Sequence, residues 1–385
     1  MFVALQQDVY GTLIWFVLFF VFIMLYPRLM LSQLIHQIEA SARKLEAMSA
    51  RANEMAAKKA GNKNAKKEVD KFTDFFVVEP SSLDPYGIVN KIDQLIRQME
   101  RRFEEFADSI APGKSALERR QLDYSLRAAI GLRQLAKIVR HFVELSKKFK
   151  NLQLAMIIRM QMPIIEKIAE GEFKGVQAFI NGWPVGDSIG PLVAVSFVEK
   201  SKPIATDVVV GEATIEGRKC FVLKATGPQP SLGRTDEAIL KIMKSNKISY
   251  VVTIDAAQKL EGEKSGSVSE GVGFAMGGYG QRELIENILL PKKVPIDSVV
   301  IKVGMEEAIM PMKKSVYDSL EEARDTVKKA VRRAPKGGKV IIIGVGNSCG
   351  IPDNNKNIKE IKDVVYKLDA KMAKEEKADK KGSWM

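Results

Sequence analysis

Histidine and cysteine are scarce in this 385-residue chain, which holds only His36, His141, Cys220 and Cys349. Two cysteines cannot build a disulfide framework or a cysteine-rich zinc site, and they fit a body kept in a reducing compartment. Both histidines precede residue 142, which weakens every mechanism needing a histidine base or ligand in the C-terminal half. The first seven residues carry no Lys or Arg, and the residues after the apolar run are bulky, so a cleavable signal peptide is disfavoured. Composition also excludes global disorder: 46% of residues are hydrophobic and 28% charged, as in a globular protein with a real core. The length suggests two or three domains. Sixty Lys and Arg against 47 Asp and Glu give a net charge of +13, which favours an anionic neighbour such as a membrane surface or an acidic partner.

What the sequence does have begins with a long apolar run. Residues 9–26 read VYGTLIWFVLFFVFIMLY and end at Pro27-Arg28, close to the roughly 20 residues that span a bilayer. Positive charge follows only on the C-terminal side, at Arg28, Arg43, Lys44 and Arg51, so the positive-inside rule predicts a single-pass membrane helix with its N-terminus outside. Leu31, Leu34, Ile38, Leu45, Met48 and Ala52 then recur at three- and four-residue steps, predicting a stalk helix able to pair with another helix, including that of a second copy. The basic stretch 56–71 reads as a linker. Apolar periodicity over 88–106, 117–149 and 152–169 predicts a three-helix bundle. Its many arginines, Arg97, Arg101, Arg120 and Arg127 among them, are interspersed with acids. A partner-facing or solvated surface is therefore favoured over a nucleic-acid site.

From about residue 172 short β-branched runs alternate with helical patterns, the signature of a three-layer α/β domain with a mostly parallel sheet. Candidate strands are 176–180, 206–215, 218–224, 250–254, 299–303 and 339–343, with helices at 190–198, 235–245, 281–289 and 316–333. Active sites of such sheets gather beyond the carboxyl ends of strands. Two carboxylates fall there: Asp187 in NGWPVGDSIGPLVA and Asp255 in VVTIDAA. If they converge, one is driven toward its protonated form and the pair can act as acid and base around a water. Both also suit simple capping and turn roles.

The segment NGWPVGDSIGPLVA resembles the signature of the germination protease of spore-forming bacteria, with Asn181 and Gly182 exchanged relative to that pattern. VVTIDAA is similar to that family's second aspartate motif. SEGVGFAMGG and PIDSVVIKVGMEEAI are similar to its glycine-rich segment and its next strand. The hydrogenase maturation proteases share that phosphorylase/hydrolase-like fold, with acidic ligands at the positions of Asp187 and Asp255. The resemblance implies an aspartate-dependent peptidase-like domain, with Asp187 and Asp255 catalytic. The third, histidine, ligand of the nickel-dependent relatives has no counterpart here. Over its whole length the chain resembles an archaeal membrane-anchored family, domain of unknown function 1512, a resemblance that supplies no activity.

Around the aspartates, Lys259 and the backbone amides near Gly271 and Gly273 are the candidate oxyanion donors. No cofactor is required. A divalent cation on the two aspartates with Glu261, Glu263 or Glu270 is the weaker alternative. Cys349, in a glycine-rich turn, lacks a neighbouring histidine to activate it. The predicted organisation is an anchor (1–30), a stalk and basic linker (31–80), a helical bundle (81–171), the α/β domain (172–368) and a disordered charged tail (369–385). The expected function is a cytoplasmic aspartate-pair hydrolase acting on a protein or peptide, with a tethered, noncatalytic binding protein as the rival.

Overall fold

A computed structural model of the chain describes residues 2–61, 64–74, 88–275 and 281–382. The chain divides into two compact units, residues 1–51 with 131–169, and residues 52–130 with 170–385.

The first unit is helical. Helix α1 (Phe2–Ala60) opens with an apolar stretch long and apolar enough to cross a membrane; every residue from Gly11 to Leu29 is exposed, Trp15 at 74%. Beyond Pro27 the helix continues and its face changes character. Ile38, Ala42, Leu45 and Ser49 are fully buried, the alternating four- and three-residue spacing that keeps one face turned inward. The face is covered by the later part of α4 (Ala116–Phe149) and the start of α5 (Leu152–Asn181). Arg140 forks onto Glu46 at 2.8 and 3.0 Å, Lys147 reaches Glu39 at 3.1 Å, and Arg159 donates to Gln37 at 2.7 Å. A burial-driven seam is thereby fixed in register by polar contacts along its rim.

In the second unit the end of α1 packs with α2 (Ala65–Thr73), α3 (Ile88–Ile110) and the beginning of α4 around Val69, Phe103, Ile110, Leu122 and Leu126. Phe72 stacks on Phe106 with ring centroids 3.9 Å apart. Much of the basic stretch read as a linker is therefore helical, in α1 and α2; residues 62 and 63 and the boundary region 75–87 lie outside the described residues.

A seven-stranded sheet forms the rest of this unit. Its strands are β1 (Ser201–Ala205), β2 (Val208–Ile215), β3 (Arg218–Ala225), β4 (Ile248–Gln258), β5 (Val268–Val272), β6 (Ile296–Val303) and β7 (Lys339–Gly344), in the order β1-β2-β3-β7-β4-β6-β5. Strands β3, β7, β4 and β6 are parallel; β1-β2, β2-β3 and β6-β5 pair antiparallel. The sheet is thus mixed, which corrects the expected mostly parallel one. The reason lies in Glu216 and Gly217, both at left-handed φ (50° and 73°), which close β2 onto β3 as a two-residue hairpin. One face carries Val252, Ile254, Val340 and Ile342 beneath α6 (Ile189–Val195), α9 (Lys314–Tyr317), α10 (Leu320–Arg332) and the start of α11 (Ile358–Gly382). The other carries Val251, Phe221 and Ile341 against α7 (Thr235–Ser245) and α8 (Gln281–Leu289).

Two further expectations change. The run 176–180 is not a strand but the last turns of α5: Ala169, Val176 and Phe179 are buried at helical rather than alternating spacing, and five apolar residues are too few to reveal the period. The charged run after residue 369 is helical as far as Gly382. Its Ala, Lys and Glu residues are good helix formers, and Lys371 and Glu375 lie one turn apart.

Candidate functional site at the carboxyl edge of the sheet

Strands β3, β7, β4 and β6 all end at one edge, and the loops beyond them carry the unusual chemistry. Asp187 sits in a single 3-10 turn, Gly186–Ser188, that leads into α6 and lies against β4. This approach requires glycine. A Cβ on Gly190 would overlap the carbonyl oxygens of both Val345 and Ile254, and Gly346, at φ +117°, lies directly against the Asp187 backbone. The Asp187 carboxyl accepts the Asn347 N–H at 2.7 Å. Burial pushes its pKa up from 3.8 to about 6, against the opposing pull of that hydrogen bond.

Asp255 is buried, 6% exposed, near the end of β4, where its register partner on β6 is Val300. The adjacent residue, Ile254, accepts the Val345 N–H at 2.8 Å, so β4 and the loop after β7 are joined where the Asp187 turn meets them. The fold thus brings the two predicted aspartates to the same edge.

The predicted oxyanion donors divide. Lys259 follows directly on β4 at the same edge, four residues past Asp255, with its backbone N–H taken by Val303 O at the end of β6. Gly271 pairs with Ser298 on β6, and the Gly273 N–H bonds to Ile296 O, at the amino end of β6 and therefore the opposite end of the sheet. The alternative acids disperse likewise. Glu263 pairs with Lys302 and caps the Leu260 N–H, Glu270 pairs with Arg333, and Glu261 is exposed. Among the described residues no three His, Cys, Asp or Glu side chains converge as metal ligands.

Several residues that sequence reasoning missed complete the edge. Asn347 holds the loop after β7 in shape by accepting the Cys349 N–H at 2.9 Å while its own N–H serves Asp187. Ser188 donates to Cys349 O at 3.1 Å, and Ser348 donates to Ala225 O at 2.6 Å. Cys349 itself is fully buried and burial drives its thiol far up, consistent with a packing role. Glu307 is buried beside the same turn. Burial alone would raise its pKa, but Gly304 N–H (2.7 Å), Lys313 Nζ (2.8 Å) and Ser265 Oγ (2.6 Å) outweigh that and hold it at about 2. Two of its partners, Gly304 and Lys313, are near in sequence, and only Ser265, 42 residues earlier, is brought in by the fold.

The loops after β1 and β3, at this same edge, also border a cavity of about 210 Å³ against α3 and α4. Its walls include Arg97, Arg120 and Arg127, expected as surface groups of the bundle and found facing the sheet edge, together with Arg234. Arg234, nearly buried, reaches Asp93 at 3.1 Å and also Glu100; Arg120 reaches Asp207; Arg97 reaches Glu237 at 3.1 Å. Arg127 forks onto buried Asp123 at 2.7 and 3.0 Å and lies 4.5 Å from the Tyr124 ring centroid. Each of these four guanidiniums meets an acid, so the cluster clasps α3 and α4 to the edge, while Arg101, also in the cavity wall, is exposed.

The chain is therefore a mixed α/β protein whose chemistry-bearing side chains gather where its parallel strands end. Comparison with protein families places it further. Residues 12–182 match the N-terminal domain, and residues 185–352 the C-terminal domain, of the family described as protein of unknown function DUF1512. The two matches together span most of the chain, which belongs to that family. Neither a curated protein nor a solved structure matches it.

Proposed function

We propose that the protein is a single-pass membrane-anchored hydrolase, N-terminus outside and bulk cytoplasmic, that cleaves amide bonds with Asp187 and Asp255. The observation that carries this reading is the Asp187 carboxyl, raised to about 6 at the carboxyl edge shared with Asp255. A carboxyl near neutrality gives and takes a proton at little cost. In the proposed reaction Asp187 accepts a proton from water as the water oxygen bonds to the substrate carbonyl carbon. It returns the proton to the leaving nitrogen as the C–N bond breaks, and Asp255 orients the water. The resemblance of both aspartate segments to the germination protease supports a peptide substrate.

The test is mass spectrometry of a broad peptide library incubated with the full-length protein in detergent. Cleavage is expected from the wild type and is expected to be lost in Asp187→Asn and Asp255→Asn. Products that persist unchanged in both variants, or none from the wild type, would end the hydrolase reading. The second reading, a tethered noncatalytic binder, is favoured by the 210 Å³ arginine-walled cavity on the same edge. It predicts ligand retention without turnover.

A further inference from the structure

We infer that the hairpin tip between α4 and α5 is a second membrane contact, seated in the headgroup layer of an anionic lipid surface. The inference rests on the reading that α1 is inserted in the bilayer. Within the first unit the contacts of α5 with α1 fix its height. Arg159 meets Gln37, and Glu166 meets Ser41 and Lys44, so residues level with one another differ by 122–125 in number. Leu152, the first residue of α5, therefore stands level with residues 27–30 of α1, and the antiparallel pairs Arg140 with Glu46 and Lys147 with Glu39 set the end of α4 lower, Phe149 level with residue 37. At 1.5 Å per residue the turn spans a depth of about 2 Å (its α5 side) to about 17 Å (its α4 side) from Tyr26, where the apolar run ends. The headgroup region is about 5–8 Å deep on each side of the hydrocarbon, which takes in the α5 side of the turn, and the lysine side chains of the α4 side extend toward it.

The chemistry of the tip matches that depth. Residues 145–165 contain Lys147, Lys148, Lys150 and Arg159 and no acidic residue, and residues 27–38 contain Arg28 and no acidic residue. Lys148, Phe149 and Lys150 are exposed at the turn, Phe149 at 63%, with the Lys148 ammonium 5.6 Å from the Phe149 ring centroid. Lys150 adopts a left-handed φ of 48°, which turns the chain sharply, and the Asn151 side chain caps α5 through the Leu154 N–H at 3.1 Å. An exposed aromatic flanked by cations, on a rigid turn at interfacial height, is suited to anionic lipid rather than to bulk water.

The inference can be tested on the full-length protein in vesicles of phosphatidylcholine with or without phosphatidylglycerol. Cys220 and Cys349 are buried, so a thiol-reactive fluorophore can report from Gln153→Cys at the tip and, separately, from Phe20→Cys in the apolar run. Nitroxide lipids should quench both labels. Headgroup-labelled lipid should quench the tip label at least about twofold more strongly in anionic than in neutral vesicles, and Lys147→Glu, Lys148→Glu and Lys150→Glu together should abolish that difference. A tip label open to aqueous iodide in both vesicle types, with the Phe20→Cys label still quenched by lipid, would overturn the tip contact and leave the anchor standing. If the Phe20→Cys label also escapes lipid quenching, the anchor reading fails and the tip contact with it. Protection that follows protein density rather than anionic lipid would assign the tip to a second copy and likewise overturn the inference.

Discussion

Ionising Asp187 costs the folded chain free energy, and this has a measurable sign. Its folded pKa of about 6 stands above the ordinary 3.8. Between those values the native state keeps a proton that the unfolded chain has released, so stability falls as pH rises through that window. Asp187→Asn removes the penalty. Thermal unfolding in detergent should find the variant more stable than wild type at pH 7.5, by up to about 3 kcal/mol, with the advantage vanishing near about pH 4. A variant that is less stable at pH 7.5 would show that the carboxylate is a structural anion. Glu307, a few residues from Asp187 in the fold but held at about 2 by three donors, makes the contrast. Two acids at one edge are driven in opposite directions by the number of donors each receives.

At the scale of elements, the guanidinium of Arg234 ties the start of α7 to α3 through Asp93 and Glu100. Removing one member of a buried ionic cluster strands its partners, and Arg234→Ala should cost about 3–5 kcal/mol. Hydrogen exchange across α3 should quicken in that variant while the β4 and β7 amides stay protected; unchanged α3 protection would refute the clasp. Which elements the sequence revealed follows from the length of each signal. The apolar run of α1 and the long helical periods of α4 are unmistakable, and Asp255 was placed at a strand end because β4 is a continuous hydrophobic strand, whereas Asp187 follows a helix and reaches the same edge through a 3-10 turn. Two features were hidden by local ambiguity. Both strands of the β2-β3 hairpin were legible, but their antiparallel pairing was not, because the turn uses Glu216 where a left-handed residue is usually Asn, Asp or Gly, and β5 is too polar and glycine-rich to read as a strand. Missing β5 had a direct consequence: Gly271 and Gly273 were read as part of a loop at the site, whereas antiparallel pairing carries them to the far end of β6. The arginine clasp was illegible for a different reason, since its members span residues 93 to 237 and only the fold brings them together.

For the whole molecule, the proposed attachment to the bilayer rests on one stretch of α1 that is long and apolar enough to span it. An arginine near the centre of a spanning helix costs about 2.5–3.5 kcal/mol. Val17→Arg with Leu18→Arg should therefore move the protein from the alkaline-washed membrane pellet to the supernatant. Wild-type protein found in the supernatant, or a double variant still in the pellet, would contradict insertion. The proposed tethering would also confine copies of the chain to two dimensions, where collisions between sheets are frequent. The outermost strands of the sheet bear on this. β1 carries Lys202 and Pro203, and β5 carries Glu270, paired with Arg333, beside Gly271. Charge, a missing amide hydrogen and a residue without a side chain each discourage a neighbouring strand from docking edge to edge. A body held on a surface among its own kind would in this way be kept from polymerising through its β-structure.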